Sequence, residues 1–208
     1  MSPRVERVVT SGIFSLDGQD FEVDNNVWII GDDSDVIIVD AAHDAEAILA
    51  AVGDRRVRAI VCTHAHNDHV NAARALVAAT SAAVCLHPAD AMLWDAVNDG
   101  VPFTELADGD RWEVAGVVLE AIHTPGHSPG GICLYAPDLG VVLTGDTLFA
   151  GGPGATGRSF SDFPTILESI RERLLTLPPD TRVLTGHGDE TTIGAEAADY
   201  DAWVARGH

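Results

Sequence analysis

The stretch Thr63-His64-Ala65-His66-Asn67-Asp68-His69 sets three imidazoles and a carboxylate within seven residues. It follows an apolar, β-branched run over residues 57–62 and precedes a helical pattern over 70–79, so it reads as the turn between a buried strand and a helix. Three further turns carry the same kind of donor directly after a glycine. They are His127 in His123-Thr124-Pro125-Gly126-His127, Asp146 in Thr144-Gly145-Asp146-Thr147, and His187 in Thr185-Gly186-His187-Gly188. Imidazole nitrogen and carboxylate oxygen suit zinc, iron or manganese. His64, His66, Asp68, His69, His127, Asp146 and His187 are too many for one tetrahedral ion and enough for two ions sharing a carboxylate. Two divalent metal ions are expected, zinc first, with iron or manganese also suited to the donors.

Working outward, short β-branched runs alternate with helical patterns. Residues 27–31 and 36–40 read as strands joined by an acidic turn at 32–35, 45–52 as an amphipathic helix, and 82–86 as a strand. Pro88 opens a helix to about residue 97. Strands follow at 112–114, 117–122, 131–135 and 141–143. The clearest helix, 163–175, starts near Asp162 and stops before Pro178-Pro179. A strand at 182–184 and a helix at 195–206 complete the α/β pattern. Each donor turn follows a strand, so side chains distant in sequence can meet at one sheet edge, on loops carried by a rigid scaffold.

Length and composition bound the rest. At 208 residues the chain reads as one domain, 1–208, and 46% hydrophobic content is that of a folded globular protein rather than a disordered one. Its apolar runs are strand-length, far short of a membrane span, and residues 1–20 lack the pattern of a signal peptide. A cytoplasmic location is expected. Cys62, Cys85 and Cys133 fit no pairing or Cys-x-x-Cys pattern and read as buried, reduced thiols. The net charge of −20 comes from 12 arginines, no lysine and 32 acids. Such a surface repels phosphate backbones and anionic membranes, so neither nucleic acid nor membrane is an expected partner.

Asp40 closes the run Val36-Ile37-Ile38-Val39-Asp40 and reads as a carboxylate behind the ligands, holding an imidazole in its tautomer. His43, His87, His123 and His208 lack comparable context and read as surface or packing histidines, His123 nearest the site because it stands four residues from His127. Ile166, Ile170 and Leu174 read as core. The acidic turn at 32–35 lacks the length and spacing of an EF-hand loop and reads as solvated.

Taken together, Thr-His-x-His-x-Asp-His, Thr-Pro-Gly-His, Thr-Gly-Asp and Gly-His-Gly resemble the metallo-β-lactamase superfamily, and within it the small glyoxalase II-type hydrolases. The resemblance runs from about Val23 to Ile193. It implies a four-layer αββα sandwich with the metal site at one edge. It also implies one ion on His64, His66 and His127, another on Asp68, His69 and His187, and Asp146 bridging. True β-lactamases of this fold lack the bridging carboxylate, so Asp146 argues against lactam hydrolysis. RNA-processing members carry inserted domains or a basic arm that this acidic chain does not match. The chain ends 21 residues after His187, which departs from full-length glyoxalase II and its C-terminal helical domain. With no lysine to hold an anionic tail, Arg158, in the segment after Asp146, becomes the substrate-binding candidate. The tracts Asp24-Asn25-Asn26-Val27-Trp28 and Gly151-Gly152-Pro153-Gly154-Ala155-Thr156-Gly157-Arg158 look like an actinobacterial group associated with mycothiol-dependent formaldehyde oxidation.

The resemblance implies hydrolysis of a small-molecule thiol ester, an S-acyl or S-formyl conjugate of mycothiol or glutathione, with Asp68 orienting the nucleophile. Two alternatives share the motifs. One is a mononuclear iron persulfide dioxygenase using His64, His127 and Asp146; the other is a metal-binding or sensor protein without catalysis. Oligomeric state is open.

Overall fold

The run Val36-Ile37-Ile38-Val39 is apolar on both of its faces, as a strand covered from both sides must be. It forms β3 (Asp35–Val39) in a six-stranded sheet with β1 (Arg4–Leu16), β2 (Gln19–Gly31), β4 (Arg56–Val61), β5 (Val84–Leu86) and β6 (Thr104–Glu105), in the spatial order of the chain. A second six-stranded sheet is built from β7 (Arg111–Val114), β8 (Val117–His123), β9 (Ile132–Ala136), β10 (Val141–Gly145), β13 (Arg182–Thr185) and β14 (Thr191–Thr192). A ribbon of β11 (Leu148–Phe149) and β12 (Gly152–Pro153) lies beside it. This computed structural model describes residues 2–16 and 18–207, so His208 lies outside the described residues.

Trp28, Ile30, Ile37, Val39 and Val61 of the first sheet meet Leu119, Leu134, Leu143 and Leu184 of the second, forming the central layer. Their alternates Val27, Ile29, Val36 and Ile38 turn outward under α1 (Ala45–Val52), α3 (Ala73–Thr80) and α4 (Ala91–Asn98), against Ile48, Leu76 and Trp94. On the far side α5 (Phe163–Ser169) brings Ile166 and Leu167 onto Val142 and Val183. The result is the αββα order expected from the sequence. Trp94 is completely buried and its indole N–H donates to the Val101 carbonyl at 2.9 Å. Trp94→Ala is therefore expected to cost about 3–5 kcal/mol, seen as a Tm lower by about 10 °C for a domain of this size. A melt within 2 °C of the parent, on the order of a surface substitution, would contradict this placement.

Several boundaries differ from the sequence reading, each for a stated reason. The helix expected over 70–79 is two pieces, α2 (Asn67–Val70) and α3, because the His69 carbonyl and the Ala72 N–H both bond Ala41 instead of continuing the spiral. The helix expected over 163–175 passes from α5 into a π-helix at Ile170–Leu174, with Leu175 N–H bonding the Ile170 carbonyl at 2.9 Å. The wider turn offsets the drift of a four-residue spacing and keeps Ile166, Ile170 and Leu174 all buried. The last helix is divided into α6 (Ile193–Ala197) and α7 (Tyr200–Arg206), because the Asp199 N–H closes a tighter turn on the Glu196 carbonyl at 3.1 Å and the Asp199 carbonyl starts the next helix. Trp203 packs on the α5 side of the core. The largest omission is β1 and the outer half of β2, which form one long hairpin paired from Arg4↔Gly31 to Leu16↔Gln19. All three cysteines are buried and free, as expected. Among the described residues no helix is long and apolar enough to cross a membrane.

Candidate metal centre

Strand direction assembles the site. β8 and β10 are both antiparallel to β9, and β13 is parallel to β10, so their C-terminal ends share one edge. His127, Asp146 and His187 follow these three ends, and residues 64–69 follow β4 in the facing sheet. The sheets are tied at this edge by Trp28 Nε1–H and Asn26 Nδ2–H, which both donate to the Thr185 carbonyl at 3.0 Å.

All seven predicted donors come together. His64 Nε2 and His127 Nε2 each lie 3.0 Å from His66 Nδ1. His69 Nε2 lies 3.2 Å from His187 Nε2, and His187 Nε2 is 3.3 Å from Asp68 Oδ2. Asp146 stands between the two groups, 3.3 Å from His69, 3.4 Å from His187 and 3.5 Å from His127. Donor atoms of His64, His66 and His127 form one compact trio, those of Asp68, His69 and His187 another, and those of His64, His69 and Asp146 a third between them. Gly186 must lack a side chain, since a Cβ there would meet Asp146 Oδ1 at 2.2 Å.

Outer partners fix which nitrogen faces inward. His69 Nδ1–H donates to Asp40 Oδ2 at 2.9 Å, His127 Nδ1–H to the Ala155 carbonyl at 2.8 Å, and His187 Nδ1–H to the Asp24 carbonyl at 2.7 Å. His64 Nδ1–H reaches Thr63 Oγ1 at 3.1 Å, and that hydroxyl donates onward to Asp40 Oδ2 at 2.9 Å. In these four the Nε2 lone pair is aimed at the cluster, the arrangement a cation needs. His66 is the exception and presents Nδ1.

Charge follows the same plan. Burial lowers His64 well below the ordinary imidazole range and His66 to about 3, leaving neutral lone pairs. For His69 and His187 burial also lowers, but Asp146 and Asp68 outweigh it, raising His69 well above its usual range and His187 to about 10. Burial would raise both carboxyls, yet the adjoining histidines hold Asp146 well below the usual carboxylate range and Asp68 at about 2. The buried Asp68 Oδ1 and Asp146 Oδ1 have no hydrogen-bond partner among the described residues. Orphaned anionic oxygens beside converging imidazole lone pairs fit a pair of divalent cations, whose binding would expel the His69 and His187 protons.

Arg158, the substrate-binding candidate, lies on a small crevice beside His66 and His127. Its guanidinium lies 5.3 Å from the centroid of Phe21 and its Nη1–H donates to Gln19 Oε1 at 3.4 Å. Phe14, Ala155 and Ser161 line the same crevice. The hairpin of β1 and β2 thus supplies one wall, a contribution the sequence reading missed.

Two buried polar residues were also missed. Asp90 accepts from the Ala65 N–H at 3.0 Å, Ser128 Oγ at 2.8 Å and the Gly130 N–H at 2.6 Å, joining the loop of His64 and His66 to that of His127. Asn25 Nδ2–H donates to Asp68 Oδ2 at 3.0 Å. Of the histidines read as bland, His87 and His123 stack on each other with centroids 4.2 Å apart. His123 turns to the Pro129 carbonyl rather than to the donors. His43 does reach toward the site, through Asn25.

Residues 21–187 match the metallo-beta-lactamase superfamily. The chain belongs to that superfamily. It is 40% identical over 171 residues to a hydroxyacylglutathione hydrolase of Pseudomonas aeruginosa, covering 79% of this chain and 62% of that protein, less than two thirds of its length. To hydroxyacylglutathione hydrolase GloC of Haemophilus influenzae it is 32% identical over 186 residues, covering 82% of this chain and 87% of that one. Among solved structures, TTHA1623 in a di-iron-bound form superposes with a TM-score of 0.75 at 33% identity, over 84% of this chain and 93% of that one.

Proposed function

We propose that the chain is a binuclear metal-dependent hydrolase that cleaves a thioester of a low-molecular-weight thiol, of the S-acyl or S-formyl mycothiol or glutathione type. The observation that carries this is Asp146 standing between two donor trios at one sheet edge. His64, His66 and His127 would hold one ion, Asp68, His69 and His187 the other, with Asp146 shared and zinc the expected metal. When bound, such ions bring the pKa of water toward neutrality and polarise a carbonyl.

The chain's own residues supply the rest. Asp68 stays ionised, and its unpartnered Oδ1 can accept a hydrogen bond from the attacking water and aim its lone pair at the acyl carbon. Arg158, over Phe21 at the rim, binds the anionic part of the thiol, while Phe14 and Ala155 cover the acyl group. The thiolate leaves unprotonated, since thiol pKa values lie near ~8.5. Three free cysteines support a reducing, cytoplasmic setting.

The test is elemental analysis of the purified protein together with a panel of lactoyl, acetyl and formyl thioesters of glutathione and mycothiol. About two metal ions per chain and hydrolysis of at least one thioester are expected. One iron per chain, with oxygen consumed on adding a thiol persulfide, would replace this reading with the dioxygenase. Tight metal binding without turnover of either substrate class would leave a binding protein.

A further inference from the structure

His43 follows the end of β3 with φ +55°, a left-handed conformation that glycine adopts freely and a β-carbon disfavours. Across from it, Gly12 of β1 leaves room for the ring, since a Cβ there would meet His43 Nδ1 at 2.2 Å. Two positions are thus fitted to one half-buried imidazole that lies outside the seven donors.

Its hydrogen bonds have a direction. The His43 N–H donates to Asn71 Oδ1 at 2.6 Å, which fixes that amide so that Asn71 Nδ2–H donates to His43 Nδ1 at 3.0 Å. With Nδ1 accepting, the ring proton sits on Nε2 and is donated to Asn25 Oδ1 at 2.9 Å. That fixes the Asn25 amide in turn, leaving its Nδ2–H to donate to Asp68 Oδ2 at 3.0 Å. Asn25 is fully buried, so neither end of its amide can turn to solvent. If the amide flipped, its oxygen would face the Asp68 carboxylate, a repulsion in a low-dielectric setting.

We infer that His43 is a positioning residue: through Asn25 it aims the Asp68 carboxylate, and so sets the affinity of the ion held by Asp68, His69 and His187. This rests on the reading of Asp68 as an ion ligand. Outer hydrogen-bond partners of this kind tune metal affinity by about 10–100-fold, and His43, one bond further out, is expected at the lower end.

The test uses His43→Gly, which removes the imidazole while relaxing the left-handed backbone, beside Asp68→Ala as a control. Zinc binding is followed by competition with a chromophoric chelator, and the melting temperature is measured with the chelator in excess. The expected result for His43→Gly is one of two binding steps weakened about tenfold, the other unchanged, and no fall in the melting temperature. Asp68→Ala should weaken the same step further. If Asp68→Ala weakens a step and His43→Gly weakens none, the relay is wrong and the ligand assignment stands. Should neither change binding, the assignment of Asp68 falls as well. Equal weakening of both steps with a lower melting temperature would make His43 merely structural.

Discussion

Asp146→Asn is expected to lower thioester hydrolysis by about two to three orders of magnitude, ~3–4 kcal/mol at 1.36 kcal/mol per tenfold. The substitution keeps shape and removes charge. Asp146 lies within 3.5 Å of the imidazoles of His69, His127 and His187, so no other carboxylate can take its place between the trios. An amide there would offer a neutral oxygen on one side and an N–H₂ group on the other, and the latter repels a cation. The same change removes the charge that raises His187 to about 10 and His69 well above its usual range. Metal counted per chain should accordingly fall below two, alongside the loss of rate. A variant that keeps both ions and loses less than about tenfold in kcat/KM would show that Asp146 is not shared between them.

The donor set was legible because each donor is announced locally. His64, His66, Asp68 and His69 crowd one turn behind a strand pattern, while His127, Asp146 and His187 each follow a strand pattern and a glycine turn. Runs such as Val36-Ile37-Ile38-Val39 were legible as strands, but their burial on both faces is seen in the structure, and the layer order was implied only by the family resemblance. What escaped the sequence reading depends on distant partners. β1 carries Arg4, Glu6, Arg7, Thr10 and Ser11 among its apolar residues, and it is a strand because it pairs along its length with β2. Asp90 looks like any acid at the start of a helix until its oxygens are seen to hold Ala65, Ser128 and Gly130. His43 and Asn25 are 18 residues apart, and Asn25 and Asp68 are 43 apart. Nothing in the local pattern of either sets their chain of bonds apart from ordinary polar surface. The helix break after Val70 likewise follows from bonds to Ala41 that spacing along the chain does not reveal.

Asp40→Asn should be the second most damaging change, and its logic runs through a tautomer. Asp40 sits at φ +64° at the end of β3, a conformation tolerated here because its side chain is fully engaged. Oδ1 accepts from the Thr63 N–H at 2.7 Å, while Oδ2 accepts from both Thr63 Oγ1 and His69 Nδ1 at 2.9 Å. With asparagine the oxygen is best kept toward the Thr63 N–H, which places the amide N–H₂ against His69. Two donors cannot share that contact, so His69 must move its proton from Nδ1 to Nε2. The Nε2 lone pair that faced Asp146 and His187 is then lost, and with it one ligand. We therefore expect metal affinity to fall by about 10–100-fold. In a melt with metal at a fixed excess, that loss removes ~1.4–2.7 kcal/mol of the stabilisation the ions provide. The melting temperature measured in excess chelator should change less, because the fold retains the Thr63 N–H bond. Unchanged metal affinity in Asp40→Asn would mean that His69 keeps its tautomer without Asp40. Because Thr63 Oγ1 carries the same carboxylate's influence to His64, weakened binding in both trios would trace to this one side chain.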